Sequence, residues 1–183
     1  MAGALETLCG QAYGAEQYEK IGIYTYCSII SLTLVCLPVS LLWIFVEKLL
    51  VLMGQDSSVA KEAGKYSIYL LPALFAYAIL TSLVRSLQTQ GLTFAMVASS
   101  IVALCFHIPV CWALVYRFGL GTAGAALSLG LSCWLAVAIL ALHVKYSTVC
   151  EKTRSSFTLD VFLSIREFFR YALPSACMAW YNL

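Results

Sequence analysis

Charge is what this sequence has least of: 11 lysines and arginines and 9 aspartates and glutamates are scattered over 183 residues, 11% of the chain. A soluble domain carries about 25% charged residues, so a water-soluble surface is excluded, and 62% apolar residues point to lipid as the main solvent. Runs of about 10 residues alternating polar and apolar are also lacking, which excludes a membrane β-barrel. The given start has no basic stretch and places Glu6 where an apolar core would be needed, so residues 1–14 are not expected to act as a secretory signal. The 8 cysteines, at positions 9, 27, 36, 105, 111, 133, 150 and 177, form no CxxC pair and have no ligand spacing with the 2 histidines. Neither a metal site nor a disulfide framework is implied, and they read as small buried apolar residues. Paired carboxylates, a Ser/His/Asp pattern and a phosphate-binding P-loop are missing too, so no enzyme and no cofactor is expected.

What the chain does have is long uncharged runs. A helix needs about 20 mostly apolar residues to cross the hydrocarbon core of a bilayer. Four stretches qualify, at 21–46, 66–84, 92–116 and 118–142, while 1–14 and 171–183 read as partial spans. The expected fold class is therefore all-α, a polytopic transmembrane helical bundle, an integral multi-pass membrane protein. Lys20, Arg85, Lys145, Lys152, Arg154, Arg166 and Arg170 fall on one set of loops, against Lys48, Lys61, Lys65 and Arg117 on the other. The excess assigns the first set to the cytoplasm. Residues 145–170 read as a cytoplasmic connection whose apolar residues Leu159, Phe162, Leu163 and Ile165 recur at roughly helical spacing, an amphipathic helix on the membrane surface.

Four stretches carry a resemblance. "ALETLCGQAYGAEQY" (4–18), "YLLPALFAYAILTSLVRSLQTQG" (69–91), "FHIPVCWALVYRFGLGTAGAALSLGLSCWL" (106–135) and "FFRYALPSACM" (168–178) resemble the multidrug and toxic compound extrusion (MATE) family, particularly its plant, DETOXIFICATION-like branch. They match in register the end of that family's second helix, its fourth, its fifth and sixth, and the start of its seventh. The resemblance implies most of one six-helix lobe of a twelve-helix carrier, read as a fragment because a first helix would precede Met1 and "AWYNL" departs from the family after Met178. It further implies secondary active antiport, the efflux of organic compounds or xenobiotics, with the proton as coupling ion. The fragment itself is expected to be incomplete for transport. The implied partners are membrane lipid and small organic substrates, with no nucleic acid, and the implied location is the plasma membrane or the vacuolar membrane. Two other readings stand beside it: a non-transporting truncated isoform that associates with a full-length relative, and a lipid flippase of related architecture, for which basic cavity residues are wanting.

Candidate pathway residues follow from the cost of polar groups in lipid. Glu6 is a carboxylate in an apolar run, a pathway group if it lies within the membrane and a hydrated helix end if it does not; Gln11 follows close behind. His107, two residues before Pro109, is a proton relay or a neutral imidazole hydrogen-bonded between helices. Arg85 is most simply a snorkelling helix end, with Arg85 and Gln88 as gate candidates. Pro38, Pro72, Pro109 and Pro174 interrupt spans and read as kinks or hinges. Gly119, Gly121 and Gly124 have GxGxxG spacing, but a dinucleotide site needs a preceding strand and a parallel sheet. The better reading is a turn followed by a small-residue packing face containing Gly121, Gly124 and Ser128.

Overall fold

The computed structural model describes residues 2–147. The expected amphipathic helix, the partial span at 171–183 and Pro174 lie outside the described residues. Helix α1 covers Ala2–Gly14 and α2 covers Tyr18–Ile44; the short α3, Val46–Leu52, follows after a break at Phe45. Then come α4 (Ser57–Thr89), α5 (Thr93–Trp112), a π-helical turn (Ala113–Arg117) and α6 (Gly121–Tyr146). No strand occurs among the described residues. In lipid, a helix satisfies its own backbone groups, so apolar runs of this length fold as helices.

The four longest elements have mean hydropathy near 2 over a membrane-length window, enough to cross a bilayer. The protein is an all-α, multi-pass membrane bundle. Helix boundaries and charge boundaries differ, most clearly in α4, which starts at Ser57 although its uncharged run begins at 66. Its 33 residues are about 50 Å long, well beyond the roughly 30 Å apolar core. Lys61, Glu62 and Lys65 are exposed on its first turns. Charge marks the edge of the hydrocarbon, not the end of the helix, because backbone bonding continues unimpeded into the headgroup region. Asp56 caps this start, its side chain accepting the Ser58 amide at 2.8 Å and the Ser58 hydroxyl at 2.6 Å.

Helix α4 is the hub: α1, α2, α3 and α6 all pack on it, and α5 packs chiefly on α6. Chain reversals put the start of α2 and the ends of α4 and α6 at one end of the bundle, called the near end below. The far end holds the finish of α2, all of α3 and the start of α6. Small residues let the helices approach closely. A Cβ on Gly124 would come within 2.9 Å of the Leu114 carbonyl in the π-helical turn, so only glycine fits. Gly119 and Gly121 take left-handed backbone angles (φ +65° and +54°), and they turn the chain from α5 into α6. Ser128 is fully buried on the same helix, whereas Gly121 is exposed, so its part is in the turn rather than in packing.

Candidate functional site

Polar groups meet between apolar helices in three places. The first is a seam between α2 and α4, built from Thr25, Ser28, Ser82 and Ser86. Thr25 Oγ1 lies 2.9 Å from Ser86 Oγ, and Ser28 Oγ 3.0 Å from Ser82 Oγ. Thr25 also donates to the Ile21 carbonyl and Ser82 to the Ala78 carbonyl, so each hydroxyl has an internal partner in lipid. The sequence reading did not single out these residues; the signal was the three-residue spacing of Thr25, Ser28 and Ser31 opposite Ser82 and Ser86. Ser31, 1% exposed, continues the seam, and its hydroxyl has no hydrogen-bond partner among the described residues.

The second is a charged clasp near the near end. Arg85 Nη1 donates to Glu6 Oε2 at 2.7 Å and lies 3.4 Å from Gln88 Oε1. Arg85 thus has a partner 79 residues away, across the α1–α4 contact, which a reading as a snorkelling helix end does not provide. Both side chains are about two-fifths exposed, a position at the polar edge of the bundle. Gln11, one turn further along α1, is exposed and outside the clasp.

The third is an open-sided cavity of about 320 Å³ between α4, α5 and α6. Its walls are mostly apolar, from Leu80, Val84, Leu104 and Leu129, with Ser99, Ser100, His107 and Ser132 as polar contributors. His107 Nδ1 is 3.1 Å from Ser132 Oγ, a bond between α5 and α6. With the Ser132 proton given to the Ser128 carbonyl at 2.8 Å, the hydroxyl oxygen is free to accept from His107 in the tautomer that carries its proton on Nδ1. That tautomer leaves Nε2 as the basic nitrogen of the ring. Glu6, Arg85 and Gln88 are therefore brought together at the near end, while His107 stands apart from them in the cavity wall. Pro38, Pro72 and Pro109 lie inside α2, α4 and α5 and are all exposed among the described helices. No group of three or more metal-ligating side chains occurs among the described residues.

The fold defines a polytopic helical membrane bundle with an apolar, imidazole-bearing cavity between three spans. Residues 1–113 match the MatE family, and the chain belongs to that family. Protein DETOXIFICATION 14 of Arabidopsis thaliana is 51% identical over 185 residues, a match that takes in 100% of this chain and 38% of that protein. Protein DETOXIFICATION 6 of the same plant is 53% identical over 178 residues, 97% of this chain and 37% of its own length. The crystal structure of the eukaryotic MATE transporter AtDTX14 shares the fold with a TM-score of 0.94 at 52% identity, over 97% of this chain and 40% of that one. The chain thus spans a little over a third of the length of these relatives. The solved relative is a transporter, not an enzyme.

Proposed function

We propose that this chain forms the cavity-bearing part of a secondary active antiporter that expels small organic compounds, with the proton as coupling ion and no cofactor. The observation that carries the reading is the cavity between α4, α5 and α6, with its apolar walls and one titratable ring at its edge. Apolar walls favour an organic compound over a hydrated inorganic ion, and a few placed polar groups fix its orientation. A proton arriving at His107 Nε2 would place a positive charge beside the organic substrate and lower its affinity. Protonation and substrate then oppose one another through a coupling free energy, which is what antiport requires. Lipid is the surrounding partner, and the plasma or vacuolar membrane is the proposed location.

The test is a chimera in which this chain replaces the matching region of Protein DETOXIFICATION 14, reconstituted in vesicles under an imposed pH gradient. Gradient-driven efflux of a fluorescent organic dye is expected, with loss of most of it in the His107→Ala chimera. A chimera that folds, inserts and moves dye at the same rate with and without the gradient would sink the proton-coupled reading. Equal efflux from the His107→Ala form would remove the cavity from the mechanism.

A further inference from the structure

The contacts between helices fix their register, and the register aligns their weak points. On the antiparallel pair α2 and α4, Thr25 meets Ser86, Ser28 meets Ser82, and Cys36 Sγ reaches the Leu74 carbonyl. Each step forward on α2 is a matching step back on α4, which sets Pro38 level with Pro72. Further along, Glu47 of α3 lies against Gly64 of α4, in the same register. On the antiparallel pair α5 and α6, His107 meets Ser132 and the Leu114 carbonyl meets Gly124. That sets Pro109 level with Gly130. The two pairs are tied together where Gly130 lies against Ala73, a Cβ on that glycine coming 3.7 Å from Ala73 Cβ. Pro38, Pro72, Pro109 and Gly130 therefore share one level of the bundle, one on each of its four long helices.

We infer that this level is a hinge plane, at which the helices of the far half bend together relative to the near half. Proline at position i removes the bond to the carbonyl at i−4 and pushes against it. The carbonyls of Leu34, Ile68 and Cys105 are released in this way, and glycine adds flexibility on the fourth helix. All three prolines lie on the exposed sides of their helices, so each ring pushes its own helix away from that side, toward the helices it packs on. A kink confined to one helix would be resisted by its neighbours; kinks at a common level are compatible with one another. The near half is the better filled: every buried residue of α2 precedes Pro38, and both buried residues of α5 precede Pro109. The hydroxyl seam and the Glu6–Arg85 clasp stitch this half alone. His107 and Leu129 place one end of the cavity against the plane, so bending there opens or closes the cavity from the far end; this last consequence rests on the transport reading, and the hinge itself does not.

The experiment measures distances between spin labels by pulsed EPR on the purified 183-residue chain in lipid nanodiscs, with the native cysteines replaced. One label pair, at Leu42 and Tyr116, reports the far end; a second, at Glu19 and Phe94, reports the near end. The far-end distribution is expected to be about twice as broad as the near-end one, reflecting slow collective motion. It narrows to the near-end width in the P38A/P72A/P109A chain. Equal widths at the two ends of the chain with its prolines intact overturn the hinge, whatever the variant does. A far-end width that survives removal of all three prolines while the near end stays narrow overturns it as well. Dye transport is not read, so failure here leaves the antiport reading standing, and failure of the chimera leaves the hinge standing.

Discussion

At the scale of single residues, two contacts dominate what substitutions should do. Gly124 has no space for a side chain, since its Cβ direction meets the Leu114 carbonyl at 2.9 Å. Gly124→Ala must push the π-helical turn away from α6, a cost of about 1–3 kcal/mol for overpacking a tight contact. Thermal unfolding of the purified chain in detergent should show it, and an unchanged midpoint would mean that the turn yields freely. The Glu6–Arg85 pair is worth less despite its 2.7 Å separation, because partial exposure screens it; about 0.5 kcal/mol is expected. Its value is in orientation. A double-mutant cycle with Glu6→Gln and Arg85→Gln should give a coupling of that size, and the charge swap E6R/R85E should restore part of the loss. Additive single effects would show that the two side chains meet without holding each other.

At the scale of elements, α4 carries the bundle, and its first turn depends on Asp56. The Ser58 hydroxyl, and after it the Ser58 amide, hold the Asp56 carboxyl below its ordinary value. A carboxyl depressed in the folded state stabilises it above the unfolded value, and the contribution is lost as pH falls through the lower, folded one. Acidification to about pH 3, below the usual carboxylate range, should therefore fray the start of α4. Hydrogen exchange at Ser58 to Lys61 reads this directly, with faster exchange at low pH after correction for intrinsic rates, and with no pH effect beyond that correction in Asp56→Asn. Fraying of equal size in the Asn variant would place the cause elsewhere. The middle of α4 was legible in the sequence from its uncharged run, but its first nine residues were not. Lys61, Glu62 and Lys65 look like a loop when lipid is assumed to bound the helix, and they are in fact exposed turns of it.

At the scale of the whole molecule, orientation follows from the basic loops. From the excess of Lys and Arg around position 20, around 85 and beyond 145, the near end is expected to face the cytoplasm. Membrane-impermeant thiol reagent applied from outside should modify Ser57→Cys and spare Gln17→Cys in a cysteine-free background. The reverse labelling pattern would invert the bundle. In that orientation the Glu6–Arg85 clasp would face the cytoplasm and the far half, beyond the proline level, the opposite side.

The sequence by itself determined that this is a helical membrane protein, and it carried the family in its motifs. Both are local properties: about 20 uncharged residues are sufficient for a span, because lipid leaves the backbone no partner but itself. It also marked Glu6, Arg85, Gln88 and His107 one by one as polar groups that an apolar run makes costly. Only the tertiary structure decided which of them meet. Arg85 finds Glu6 across 79 residues, His107 finds Ser132 on the next helix, and Thr25 and Ser28 find Ser86 and Ser82. These pairings depend on the register and rotation of one helix against another, which small residues such as Gly124 and Gly130 set through close approach over distances that no local pattern encodes.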